Sequence, residues 1–174
     1  MITFKQFLAE ARMAPLYHST SIKAVDDILD ENILKRGWPD RKMHWHSKDG
    51  RIVSLTRNLP FALKWKDDYG VVLELDQLKL SQNYKIVPFS YFARSVGTSR
   101  PAPSTRIYSK GKDYDFDSQY EESVVNSDIK NIQKYIVKII ITDAAYSRWT
   151  RRELYPVLKH PLLWSYEQKR FINQ

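Results

Sequence analysis

Residues 21–34, "SIKAVDDILDENIL", constrain the fold more than any other stretch, because they set apolar side chains at positions 22, 25, 28, 29, 33 and 34. That spacing follows the helical period and predicts one amphipathic helix. The residues before it, "PLYHST", read as a short strand. The residues after it fall into apolar runs of strand character, "RIVSLTRN", "YGVVLELDQLKL", "NYKIVPFSYF" and "KYIVKIIITD". One strand, one amphipathic helix and then mostly strands is not the regular βαβ alternation of a doubly wound fold, and there is no Gly-rich phosphate loop. The order implies an α+β domain built on a mixed or antiparallel sheet with flanking helices.

Breakers refine this outline. Gly37 and Pro39 are expected to end the helix, so that it runs through Ile33 and Leu34. Pro60 suits the first turn of a short helix in "LPFALKWK". Pro88 interrupts a strand-like piece. Residues 94–119 read as a long loop, of the kind that is usually functional or mobile. The stretch "NSDIKNIQ" reads as a turn, and the tail, 144–174, as helical. Ahead of Pro15, Ile2, Phe4, Phe7, Leu8 and Ala11 fit a short amphipathic helix with Thr3 as its N-cap. Two units result: an N-terminal amphipathic segment, 1–12, and one domain, 13–174, in a chain of 174 residues.

Composition excludes several classes. At 43% hydrophobic and 13% aromatic residues the chain is globular and not disordered. With no cysteine it has no disulfides, no thiolate chemistry and no Cys-type zinc site. No apolar run reaches the roughly 18–20 residues of a membrane helix, and no apolar core of a secretory signal is expected at the start. A net charge of +8 suits a polyanionic partner or an acidic substrate.

Three short elements place polar groups in or at the end of apolar runs: Tyr17-His18-Ser19-Thr20, Ser54-Leu55-Thr56-Arg57 and Tyr120-Glu121-Glu122-Ser123. Such groups cost free energy to bury unless they are paired or used. Singly, each has an ordinary explanation: a strand-end histidine is often structural, Ser54 and Thr56 alternate onto what could be a solvated face, and a Glu pair can be surface charge. Together they exceed chance. His44 and His46 form an H-x-H pair with no third ligand nearby, and "DYDFD" at 113–117 lacks the spacing and Gly of a calcium loop, so no metal site is predicted. Trp149 and Trp164 read as core.

The segments "LYHSTSIKAVDDILDENIL", "VSLTRN" and "YEESVVNSDIKNIQKYIVKIII" together resemble the His-containing branch of the ADP-ribosyltransferase-like family, over residues 15–142. That family carries a His in a "YHGT"-like first strand, an amphipathic helix after it, a "SLT" or "ST" strand, and a glutamate before a late strand of the "YI-x-x-I-x-I" kind. Ser19 stands where the family usually has Gly. The resemblance implies a split mixed or antiparallel sheet around a cleft for NAD, the substrate whose nicotinamide–ribose bond these enzymes cleave. It makes Glu122 or Glu121 the catalytic carboxylate, with Glu122 preferred, and makes His18 a hydrogen-bond donor to a ribose hydroxyl beside Ser19 and Thr20. Ser54 and Thr56 would brace the cleft and position the glutamate. Arg57 would hold pyrophosphate, and Tyr69, Tyr84 or Tyr91 would stack on nicotinamide.

The first eleven residues, "MITFKQFLAEA", resemble the capsid-targeting peptides of internal head proteins in T4-like phages, which are cut after a Leu/Ile-x-Glu triplet. Leu8-Ala9-Glu10 fits that triplet. The two resemblances imply a phage mono-ADP-ribosyltransferase of the virion interior or the host cytoplasm, which modifies a host protein or nucleic acid. The alternatives are NAD glycohydrolysis, RNA 2′-phosphate transfer on the same fold, or a non-enzymatic virion or DNA-binding protein that contacts phage DNA or capsid.

Overall fold

The computed structural model describes residues 14–37, 51–64, 70–88, 121–125, 127–150 and 156–173. In chain order they form β1 (Leu16–Ser21), α1 (Ile22–Glu31), β2 (Ile33–Leu34), β3 (Ile52–Thr56), α2 (Leu59–Lys64), β4 (Gly70–Leu75) and α3 (Gln77–Ser81). Then come β5 (Ile86–Pro88), β6 (Glu121–Val125), β7 (Ile129–Lys130), β8 (Ile136–Ile141), α4 (Asp143–Thr150), β9 (Leu163–Ser165) and β10 (Arg170–Phe171). One eight-stranded sheet runs β10-β9-β8-β4-β1-β3-β6-β5, and β2 pairs with β7 separately. Every pairing is antiparallel except that of β8 with β9. This is the α+β class that the order of apolar runs implies.

The amphipathic helix forms where its spacing places it, but it is shorter. Ser21 caps α1 by accepting the Ala24 N–H, satisfying one of the amides that a helix start leaves unpaired. Ile22, Val25 and Ile28 are buried against the sheet. The helix then stops at Asn32, which takes a left-handed conformation at φ 54°. Ile33 and Leu34, expected in the helix, pair instead with Lys130 and Ile129. Their apolar side chains fit either period, and the left-handed turn at Asn32 decides between them. Part of "NSDIKNIQ" is thereby a strand.

The tail corrects a second expectation. Only α4 and a 3-10 turn at Pro156–Lys159 are helical among its described residues; Leu163–Ser165 lies parallel to β8, and Arg170–Phe171 turns back along it. A three-residue strand carries no periodicity of its own, so its pairing partner determines it. Asp26 on α1 accepts the Val157 N–H at 2.8 Å and anchors the start of this segment, and burial pushes its carboxyl above the usual range.

The sheet's two sides are covered unequally. The larger core lies on the α1 side, with Leu16, Val53, Leu55, Leu73, Val124 and Ile139 among its residues. The smaller core lies on the α2 side, where Ala62 and Leu63 pack on Tyr17, Val72 and Ile140. Beside it Glu74 and Lys138 pair at 3.2 Å, and burial together with the Glu74 charge pushes the Tyr17 hydroxyl up to about 12.

Candidate functional site

The candidate residues meet where β1, β3 and β6 lie side by side. β1 is zipped to β4 through six residue pairs, from Leu16↔Leu75 to Ser21↔Gly70. Its other edge meets β3 at a single pair, Tyr17↔Thr56. Beyond that pair the ladder lapses, and a side chain takes over the backbone's bonding. His18 Nδ1 lies 2.9 Å from the Ser54 carbonyl oxygen. A carbonyl only accepts, so Nδ1 carries the proton and Nε2 of the neutral ring carries the lone pair. Burial pushes the His18 imidazole below its ordinary range, against the raising effect of that bond, which favours the neutral ring.

Strand pleating sorts the candidates. Side chains alternate along a strand, so His18 faces the side opposite Tyr17, the α1 side. On β3 and β6, Leu55 pairs with Glu122 and Val53 with Val124. Leu55, Val53 and Val124 belong to the α1-side core, so Glu122 shares their face. His18 and Glu122 therefore stand on one face with Leu55 between them, two strand spacings apart, or roughly 10 Å between backbones. Arg57, just past the end of β3, reaches the same place: its Nε donates to Glu122 Oε1 in an ion pair only partly open to solvent. The core face thus turns polar where β1, β3 and β6 converge.

Other expected site residues do different work. Thr20, only 8% exposed, is a buried hydroxyl within β1. Ser19 Oγ donates to the Ala62 carbonyl at 2.7 Å and ties β1 to α2. Thr56 Oγ1 accepts the Asn58 N–H, and Asn58 Oδ1 accepts the Phe61 N–H, so Thr56-Arg57-Asn58 makes the turn that starts α2. Ser54 is exposed and pairs with Ser123, whose fully buried Oγ meets no partner among the described residues. Ser54 and Thr56 lie on the side opposite Glu122, so neither side chain braces it from its own face. Glu121 is placed by its backbone alone, opposite Thr56.

Of the stacking candidates, Tyr84 is built into the fold. Its ring meets Tyr135 edge-on at 6.0 Å, and its hydroxyl accepts the Lys130 N–H. Tyr69, Tyr91, Tyr120, His44, His46 and residues 1–12 lie outside the described residues, as do the 94–119 loop and its acidic run.

This geometry can polarise a hydroxyl through His18 Nε2 and place a carboxylate, held by a guanidinium, on the same face. Among the described residues no group of three or more His, Asp or Glu side chains is close enough to hold a metal, and no helix is long and apolar enough to cross a membrane. Comparison of the chain with family models, with curated proteins and with solved structures finds no match.

Proposed function

We propose that the chain is an NAD-dependent mono-ADP-ribosyltransferase that modifies a macromolecular acceptor. The observation that carries this reading is the convergence of three sequence-distant elements: the His strand, the Ser-Leu-Thr strand and the glutamate strand lie at one loosened junction, with His18 and Glu122 on one face. That is the set on which the sequence resemblance rests.

In this reading the bond from ribose C1′ to the nicotinamide nitrogen breaks, its electron pair leaves with nicotinamide, and positive charge builds on the ribose ring. The Glu122 carboxylate stabilises that charge. In this reading His18 Nε2 accepts a hydrogen bond from a ribose hydroxyl, in place of the donation that the resemblance implies, because Nδ1 is committed to the Ser54 carbonyl. Arg57 fixes the Glu122 carboxylate in place, and a pyrophosphate role for it would compete with that bond. The acceptor's nucleophile then attacks C1′, forms the new bond to it and loses its proton to solvent. Residues 1–12 belong to the same proposal as a capsid-targeting segment that is cut after Glu10.

Labelled NAD incubated with a bacterial lysate tests the reading, wild type beside Glu122→Gln. Label on a macromolecule, lost by at least a hundredfold in the variant, is the expected result. Free nicotinamide without transfer would mean NAD cleavage on the same site. Neither product, with no NAD binding by calorimetry, would end the enzyme reading.

A further inference from the structure

Two turns, one after α3 and one before β8, are joined by a tyrosine pair and carry cations that the proposed reaction does not use. The Tyr84 hydroxyl accepts the Lys130 N–H at 2.8 Å, and the Tyr84 and Tyr135 rings meet edge-on. Lys79 lies in the last turn of α3, Lys85 follows Tyr84, and Lys130 ends β7. Lys134 Nζ sits 4.9 Å from the Tyr135 centroid. All four lysines are exposed.

Their charges are not cancelled. On other elements Lys23 pairs with Asp27, Lys35 with Glu31 and Lys138 with Glu74. Here Lys79 alone is paired, with Asp76 at 3.2 Å. Lys85, Lys130 and Lys134 meet no carboxylate among the described residues. Asp76 is the one acid within residues 76–88 and 129–136. The flanks do not reverse the balance: Glu31 is matched by Lys35, and Asp128 accepts from Arg36 and feels Arg51. Asp30, exposed near the end of α1, is the acid left over. It stands against three unpaired ammonium groups.

We propose that this surface binds the phosphate backbone of duplex nucleic acid without reading its sequence. The surplus charge is the first argument, because ammonium groups with no carboxylate partner take phosphates and release their counterions. The neighbours are the second. Gln82 and Asn131 are exposed beside the lysines, and neutral amides are among the residue types that hold phosphate and sugar. The rings are the third. Tyr135 is 2% exposed, and Tyr84 is packed against it with its hydroxyl taken, so neither offers a face on which an unpaired base could stack. That favours a duplex, which presents its phosphates outward, over a single strand. An acidic protein would want an apolar centre to its interface. Leu78 and Val137 are the only large apolar side chains exposed among the described residues, and two do not make one.

The test is fluorescence anisotropy of the full chain with labelled oligonucleotides of about 20 residues per strand, over about 50–200 mM salt. Duplex DNA, duplex RNA and single strands are compared, with polyglutamate as competitor. The patch variant is Lys85→Gln with Lys130→Gln and Lys134→Gln. A second variant, Lys85→Arg with Lys130→Arg and Lys134→Arg, keeps the charge. The control, Lys23→Gln with Arg148→Gln and Lys159→Gln, removes the same charge from exposed positions on α1, α4 and the 3-10 turn.

Duplex binds the wild type at least as tightly as single strands, and the tighter of duplex DNA and duplex RNA is the preferred ligand. The patch variant binds at least about tenfold more weakly, with a salt slope shallower by about 2.7, three phosphate contacts at about 0.9 each. The arginine variant and the control stay within about threefold of wild type. The proposal falls if single strands bind more tightly than duplex, if the patch variant keeps wild-type affinity, if the control loses as much as the patch variant, or if polyglutamate competes as well as unlabelled duplex. It does not depend on the enzyme reading, because NAD cleavage is not among its readouts.

Discussion

β1 has two edges, and the chain treats them differently. Along β4 it forms a ladder of six pairs, backed by β8 and covered by core on both sides. Along β3 it forms one pair, and a histidine side chain takes up a carbonyl that the ladder abandons. On its α1 side the zipped edge is apolar: Leu73 and Leu75 have no exposed surface. The loosened edge gathers His18, Arg57 and Glu122. A ladder is satisfied by backbone alone and needs only apolar filling. An opened junction exposes backbone polar groups, which must be met by side chains that can also meet a ligand. Under the proposed function, stability and chemistry would be divided between the two edges of one strand.

The comparison breaks most visibly at Leu73, which sits fully buried opposite His18 in the β1–β4 ladder. Leu73→Ala should cost about 2–5 kcal/mol in urea unfolding, from lost transfer energy and the cavity left behind. Glu122→Gln, on the other edge, should cost far less stability while abolishing transfer. A Glu122→Gln protein that unfolds as readily as Leu73→Ala would mean that both edges are structural.

The Arg57–Glu122 pair sharpens the same contrast. Both side chains are largely shielded, at 24% and 13% exposure, and belong to a site only partly open to solvent. A double-mutant cycle with Arg57→Ala and Glu122→Gln should return a coupling of about 0.5–3 kcal/mol. A coupling near zero would mean that the pair does not hold the carboxylate, and Arg57 would return to the pyrophosphate role.

What the sequence made legible follows the same division. The strands of the zipped half were readable, because "VVLEL" and "IVKIII" are apolar runs that only a buried strand explains. The His, Ser-Leu-Thr and Glu elements were readable as anomalies. Their sorting was not, since whether Ser54 and Glu122 share a face depends on register between strands more than sixty residues apart. Nor was the tautomer of His18, which a carbonyl 36 residues away decides. The strands β9 and β10 were unreadable for a different reason: they are too short to show a period, and β8 templates them.

A pH series tests His18 itself. Its folded-state pKa lies below the ordinary 6.5, so the unfolded chain takes up a proton first as pH falls. Its contribution is fully present above pH 6.5 and is lost as pH drops from there toward the lowered folded value. His18→Gln keeps a donor for the Ser54 carbonyl but does not titrate. Thermal melts should therefore show wild type losing more stability than the variant from neutral toward mildly acidic pH. His160, also pushed down by burial, and Asp26, pushed up, titrate in both proteins and cancel in the difference. Parallel curves would mean that the ring is not held neutral by its surroundings.

The smallest expected effect is the most discriminating. Ser54 is the residue whose carbonyl His18 uses, yet its hydroxyl is exposed on the side of the sheet away from Glu122. Ser54→Ala removes the hydroxyl and leaves the carbonyl, so unfolding free energy should change by no more than about 0.5 kcal/mol. If the reaction runs on the His18–Glu122 face, transfer should also stay within about twofold, which is less than 0.5 kcal/mol of transition-state stabilisation. A loss of tenfold or more would mean that substrate reaches around the loosened edge to the Ser54 side. The buried hydroxyl of Ser123, directly across from Ser54 and without a partner among the described residues, would then be the next group to test, because it would lie on the substrate's path and not behind it.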